Sequence, residues 1–237
     1  MAISRYRESP TPPEQGDDHE NAKLLVAGGV TLAMATPAAA DDAAFFEVTV
    51  TNATAAQSFT PILVATHASD SVLFRLGEPA SAELAVLAEG GDTAPLAAAL
   101  AQNNQVLDVQ SSSGLLAPGQ SSTLRVATRG RFKRVSVAAM LIPTNDSFLA
   151  LNGMRGPSGS DSITVFVPAY DAGSEPNDNR CVSIPGPVCG GEGTSPNAGG
   201  EGFVHISRGT HGNGDLDPAV YDWRNPVARI TVRRVAH

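Results

Sequence analysis

The sequence predicts an all-β protein, an antiparallel sandwich or barrel with a small helical insertion. Short segments that alternate apolar and polar residues recur between residues 46 and 235, with the period of half-buried strands. Gly, Pro and Asn residues separate these segments, as in sandwiches and barrels. Only residues 80–103 show helical spacing instead.

The first 40 residues predict a secretory signal peptide. An apolar run at residues 24–35 follows Lys23, and the small-residue segment 37–40 comes after it, which is the order of a signal peptide. Residues 1–22 are unusually polar and acidic, so either they form an extended n-region or the true start of the protein lies elsewhere. A buried core helix is the alternative for the apolar run. We therefore expect a single exported domain at residues 41–237, either secreted or periplasmic.

The first half of this domain combines strands with the helical insertion. Leu84 and Leu87 share one helical face, and Gly90 and Gly91 end that run. A second short helix begins near Pro95, a residue suited to a first turn. The strands predicted before the helices are 46–51, 60–66 and 72–76.

The second half returns to strands and contains one long irregular segment. The predicted strands are 123–127, 134–142, 147–151, 163–167, 203–206 and 227–235. Gly130 lies between the first two, so they could form a hairpin. Residues 170–202 contain eight glycines and four prolines with little periodicity. A segment of this length inside a domain is usually functional or disordered.

Charge and hydropathy limit the classes of partner. The chain has 16 basic and 24 acidic residues, which argues against a nucleic-acid binder. It has no apolar run of 18 residues, so we expect no transmembrane segment. A basic cluster at residues 129–134 could contact an anionic polysaccharide or lipid, or be a solvated turn. We expect an extracellular or envelope protein or polysaccharide as partner.

The chain has two cysteines, Cys181 and Cys189. Two cysteines in an exported chain predict one disulfide, and the alternative is a pair of free thiols. A disulfide that closes so short a loop stabilises a protein by about 2–3 kcal/mol.

Acidic residues at strand ends are the candidate ligands of a metal ion. Asp171 and Glu175 follow a predicted strand, and Asp146 lies at the edge of another. Calcium takes 6–8 oxygen ligands from flexible loops, although acids in turns are often only solvated. The histidines lack zinc-site spacing, and the chain lacks the common hydrolase and nucleotide-binding motifs. We expect local structural roles for the histidines.

Four segments in order resemble the N-terminal domain of spondins, which are extracellular matrix proteins with relatives among bacterial secreted proteins. Residues 76–91 resemble its "G-x-x-A-S…A-E-x-G" stretch, and residues 142–148 its "G-P-S-P-D-W" segment. Residues 167–175 resemble "I-P-W-D-A-G-T-D", and residues 227–232 resemble "V-A-R-V-V-I". The likeness spans residues 46–235.

This resemblance implies a C2-like β-sandwich with a calcium ion at one end. It implies Asp146, Asp171 and Glu175 as the ligands, with Glu175 in place of an aspartate and Ser147 in place of the family's tryptophan. The sequence thus predicts a non-catalytic, calcium-binding adhesion or interaction module. The alternatives are an enzyme of carbohydrate or lipid chemistry that uses the same acidic end, and a structural envelope protein.

Overall fold

The computed structural model describes residues 44–236, which fold into two antiparallel sheets. The predicted signal peptide, residues 1–40, lies outside the described residues. The strands are β1 Ala44–Asn52, β2 Ser58–Phe59, β3 Leu63–His67, β4 Val106–Ser111, β5 Ser121–Thr128, β6 Arg134–Ile142, β7 Ser147–Arg155, β8 Ser162–Val167, β9 Ala169–Asp171, β10 His205–Ile206 and β11 Ala228–Ala236. The helices are α1 Ala82–Gly90, α2 Ala94–Ala101, α3 Gly186–Cys189 and α4 Pro218–Tyr221, with a 3-10 helix at Cys181–Ser183.

The four-stranded sheet has the order β5-β1-β11-β8. Buried and partly exposed residues alternate strictly along β1, because one face of this sheet covers the core and the other faces solvent. β1 and β11 pair along their whole length, from Ala44 opposite Ala236 to Asn52 opposite Ala228. Val48 and Ile230 point into the core between the sheets.

The seven-stranded sheet has the order β10-β9-β7-β6-β3-β4, and β2 also pairs with β6. Both faces of its centre are buried, so β6 is apolar without alternation from Val137 to Ile142. Val137 and Leu141 face the core between the sheets. Ala138, on the opposite face, packs in a second core together with residues of α1 and α2. The two sheets confirm the predicted all-β sandwich.

Helices α1 and α2 form the predicted insertion and cover the outer face of this sheet. The Ser81 side chain caps α1 by accepting a hydrogen bond from the Leu84 amide at 3.2 Å. Gly91 ends the helix in the left-handed conformation. Leu84 and Leu87 are fully buried, so the apolar face of α1 contributes to the second core.

Three local predictions were wrong or incomplete. Residues 72–76 form no strand, because the Asn152 side chain pairs with the Leu73 amide at 2.9 Å and the Phe74 carbonyl at 2.8 Å, where a neighbouring strand would have been. The sequence analysis placed no strand at β4. The turn near Gly130 does not join a hairpin, because β5 and β6 belong to different sheets.

The long segment after β9 is mostly irregular, as its composition predicted. Cys181 and Cys189 are joined in a disulfide, which confirms the predicted pairing. The backbone amides of Gly191 and Glu192 donate to carbonyls of residues 184 and 182 at 2.9 Å, which closes the loop around this disulfide. We call residues 172–204 the acidic-end loop, because it follows Asp171 and contains Glu175.

Candidate metal centre

Antiparallel pairing of β7 and β9 places Asp146 beside Asp171. Ser147, the first residue of β7, lies opposite Asp171, the last residue of β9. The amide of Ala172 donates to the Asp146 carbonyl at 3.2 Å and extends this pairing by one step. Two acids that are 25 positions apart in sequence therefore lie at the same end of the sheet.

Asp146 is fully buried, and only one of its carboxylate oxygens is satisfied. Its Oδ2 accepts hydrogen bonds from the amides of Ser174 at 2.8 Å and Glu175 at 3.0 Å, and from the Ser174 hydroxyl at 3.2 Å. Its Oδ1 is buried without a hydrogen-bond partner. Burial, and then the nearby carboxylate of Asp171, raise the pKa of Asp146 to about 8.

Asp171 is 1% exposed and uses both of its oxygens. Its Oδ1 accepts from the Gly173 amide at 2.9 Å, and its Oδ2 accepts from the Asn177 side-chain amide at 2.9 Å. Burial raises the pKa of Asp171, although these two hydrogen bonds and the neighbouring His205 oppose the rise. The carboxyl group is thus held firmly in position by its partners.

Glu175 carries the least compensated carboxylate of the three. Both of its oxygens are buried, and neither makes a hydrogen bond of good geometry. Burial raises the pKa of Glu175 to about 7, and the carboxylate of Glu89 adds to the rise. The side chains of Ser195 and Asn145 lie close enough to lower this pKa in part. Although a glutamate side chain is longer than the family's aspartate, the carboxylate of Glu175 is buried in the protein.

The structure places Asp146 beside Asp171 and beside the backbone of Glu175, whose amide donates to Asp146 Oδ2 at 3.0 Å. The carboxylates of Asp171 and, to a smaller extent, Glu175 add to the raised pKa of Asp146. Within residues 44–236, no ion pair joins Asp146 or Glu175 to a basic side chain. Buried carboxylates without such partners are costly, and a bound cation would remove that cost. These residues therefore fit a metal ion held by oxygen ligands.

Two glycines allow the acidic-end loop to fold tightly over this cluster. Gly173 has a φ of +67°, and a Cβ atom there would lie 2.4 Å from the Phe203 carbonyl oxygen. A Cβ atom on Gly200 would lie 2.5 Å from the Gly173 carbonyl oxygen. The Gly202 amide donates to that same carbonyl at 2.8 Å. Larger residues at 173 and 200 would separate the two sides of the loop.

Ser147, which replaces the family's tryptophan, lies beneath the cluster. It is buried, and its hydroxyl forms a hydrogen bond of 2.8 Å with the hydroxyl of Ser207. This bond joins β7 to the segment that follows β10. Two hydrogen-bonded serines, Ser147 and Ser207, therefore lie where the family resemblance implies a tryptophan ring.

Three further residues lie next to Asp171 and were not predicted from the sequence, namely Asn177, Glu201 and His205. His205 lies opposite Asp171 in the pairing of β9 with β10. Its Nε2 is 3.4 Å from Asp171 Oδ1 and 3.7 Å from Glu201 Oε2. Together Asp171, Glu201 and His205 offer three ligand atoms within 4.8 Å of one another. The only sequence signal was the separation of four residues between Glu201 and His205, and it carries no geometry in a loop.

The basic cluster near Gly130 is partly engaged within the protein. The Arg131 guanidinium lies 5.0 Å from the ring centre of Phe132 and donates to the Asn104 carbonyl at 3.2 Å. Arg134 donates to the Gly153 carbonyl at 2.6 Å. Two of its cations therefore contribute to local structure.

Two antiparallel sheets with buried acids at one end define a β-sandwich with a candidate metal centre. The model of the spondin N-terminal domain family, Spondin_N, matches residues 50–176. This match covers just over half of the chain and includes Asp146, Asp171 and Glu175. The chain therefore belongs to the spondin N-terminal domain family. A search of curated proteins gave no match.

Membership of this family sets the general class of function. Spondin N-terminal domains are non-enzymatic, adhesion-type domains, so membership points to an extracellular interaction module. The disulfide agrees with an extracellular location. Among residues 44–236, no helix is long and apolar enough to cross a membrane.

Proposed function

We propose that this protein is a secreted or periplasmic calcium-binding interaction module without catalytic activity. Asp146, Asp171 and Glu175 hold the ion in this proposal. The observation that carries it is the set of buried, unpartnered oxygens, namely Asp146 Oδ1 and both oxygens of Glu175. Buried carboxylates near one another repel unless a cation or protons neutralise them.

The donor set favours calcium over magnesium. All three side chains supply carboxylate oxygens, and the acidic-end loop adds backbone carbonyls from a flexible, glycine-rich segment. Calcium accepts 6–8 such oxygens in irregular geometry, whereas magnesium requires a near-ideal octahedron with shorter bonds. Calcium is also abundant outside the cell, where modules of this kind bind it at roughly 10⁻⁴–10⁻³ M.

The ion would act as a crosslink between two parts of the chain. Asp146 belongs to the turn between β6 and β7, and Glu175 belongs to the acidic-end loop. A cation held by both would order this loop against the end of the sheet. The ordered loop would then present a fixed surface to an extracellular or envelope protein or polysaccharide.

Calcium titration of the full chain tests this proposal. Isothermal titration calorimetry should detect one calcium ion at submillimolar to millimolar concentration, with much weaker binding of magnesium. Glu175→Gln should lose calcium binding, because it removes a buried charge and keeps the shape of the side chain. Glu192→Gln is the matched control, because Glu192 is an exposed glutamate of the same loop. The proposal fails if the parent binds no calcium, or if both variants bind it as the parent does.

A further inference from the structure

A second group of possible ligands lies on the other side of Asp171. The Asn177 side-chain nitrogen donates to Asp171 Oδ2 at 2.9 Å and to Glu201 Oε1 at 3.1 Å. One amide thus holds one oxygen of each carboxylate. The remaining oxygens, Asp171 Oδ1 and Glu201 Oε2, both lie near His205 Nε2. The two acids and the imidazole are therefore positioned around one small volume.

The His205 ring is prepared to act as a ligand. Its Nδ1 lies 3.0 Å from the Ile206 carbonyl, so this nitrogen carries the proton and donates it. In the neutral ring Nε2 then carries the lone pair, and Nε2 is buried without a hydrogen-bond partner. Metal-bound histidines commonly donate their second ring nitrogen to a carbonyl or carboxylate in this way.

The distances fit a small transition-metal ion. Zinc bonds of about 2.0–2.1 Å in a tetrahedron place neighbouring ligand atoms about 3.3–3.4 Å apart. The separations of 3.4 and 3.7 Å from His205 Nε2 to the two carboxylate oxygens are close to this value. They differ from the hydrogen bonds of about 2.8 Å that a protonated histidine forms with a carboxylate.

We propose that Asp171, Glu201 and His205 form a second cation site, which binds zinc or a similar divalent transition metal. An imidazole nitrogen suits zinc, copper and nickel, whereas calcium takes oxygen ligands. Three protein ligands leave one position open, as in zinc sites that bind water or an external ligand. Glu201 also lines an adjoining cavity of about 410 Å³, together with Asn177, Arg208 and His211. Glu201 and His205 lie outside residues 50–176, the part matched by the family model.

This site does not depend on the calcium proposal, although both sites contain Asp171. Asp146 and Glu175 belong only to the first site, and Glu201 and His205 belong only to the second. Variants on the two sides of Asp171 therefore separate the two proposals.

Zinc and cobalt titrations of the full chain in saturating calcium test the second site. The parent should bind one zinc ion, and cobalt should give the intense visible absorption of a tetrahedral site with a nitrogen ligand. His205→Ala should weaken zinc binding at least about tenfold, since even an outer partner of a metal ligand contributes this much. Glu192→Gln, which changes an exposed glutamate of the same loop, is the matched control and should bind zinc like the parent.

Glu201→Gln provides a second variant at a partly exposed position, where folding is not at risk. It should weaken zinc binding as His205→Ala does. Zinc binding that is equal in the parent and in His205→Ala would overturn the proposal. That result would show that Asp171, Glu201 and His205 form only an ion pair and not a metal site.

Discussion

Replacement of Asp146 by asparagine should stabilise the calcium-free protein and abolish its response to calcium. The two side chains have nearly the same shape, so the asparagine oxygen can still accept the hydrogen bonds from Ser174 and Glu175. The change removes the charge whose burial raises the pKa of this group to about 8. A ligand of the ion is lost at the same time.

The size of the stabilisation follows from the pKa of Asp146. At pH 7 the folded protein keeps this carboxyl largely protonated, whereas it is ionised in the unfolded chain, and this costs about 4 kcal/mol. Asparagine avoids that cost. Its amide nitrogen takes the place of Oδ1, which has no partner, and an unsatisfied group costs about 1–3 kcal/mol. The net gain is about 2 kcal/mol, or about 4–8 °C in Tm for a domain of this size.

Thermal unfolding with EDTA and with calcium measures both effects. The parent should gain about 2.7 kcal/mol in calcium at 100 times its Kd, and Asp146→Asn should gain nothing. Asp161→Asn, which changes an exposed aspartate, should behave like the parent in both conditions. Lower stability of Asp146→Asn in EDTA, together with a full calcium response, would refute the reasoning.

The raised pKa of Asp146 also predicts how the stability of the calcium-free protein changes with pH. The folded-state pKa of Asp146 is raised, so its contribution to stability is greatest below the unfolded value of about 4. That contribution is lost as the pH rises toward about 8. In EDTA, the parent should therefore lose stability across this range, and Asp146→Asn should lose less. A parent that became more stable in EDTA as the pH rose would contradict this assignment.

Two further predictions concern the acidic-end loop. Gly173→Ala should lower the free energy of unfolding by about 2–4 kcal/mol and weaken calcium binding, because Gly173 has a positive φ and lies against the Phe203 backbone. Gly159→Ala, with no heavy atom within 4 Å, should leave both unchanged in the same calorimetric titration. Serine at both Cys181 and Cys189 should lower stability by about 2–3 kcal/mol in chemical denaturation. An equal midpoint under reducing and oxidising conditions would count against a stabilising role of this disulfide.

The sequence predicted those strands whose two faces differ in environment. β1 and β11 alternate because one face is buried and the other faces solvent. Within residues 72–76, Leu73 and Phe74 lie in the second core, whereas Val72 and Leu76 are exposed. The sequence did not reveal the backbone conformation of this segment. The Asn152 side chain supplies the backbone hydrogen bonds that a neighbouring strand would otherwise make.

The residues of the candidate site also fall into two groups, those that the sequence predicted and those that only the structure revealed. Asp146 and Asp171 lie at strand ends that the sequence pattern located, and the family resemblance pointed to the same residues. His205 reaches Asp171 through a pairing of only two residues, β10 with β9, across the whole acidic-end loop. The sequence predicted a strand at 203–206 but not its partner β9, so the proximity of His205 and Glu201 to Asp171 became apparent only from the structure.

The pairing of β1 with β11 determines how the domain responds to mechanical load. Ala44 and Ala236, the two ends of the described domain, lie opposite each other at the same end of adjacent strands. A force that pulls these ends apart would break the hydrogen bonds between the strands one after another rather than all together. The domain therefore resists tension through its two ends weakly. An attachment that must hold against flow or cell movement would be stronger if the load entered at the acidic-end loop and left through only one of the two ends.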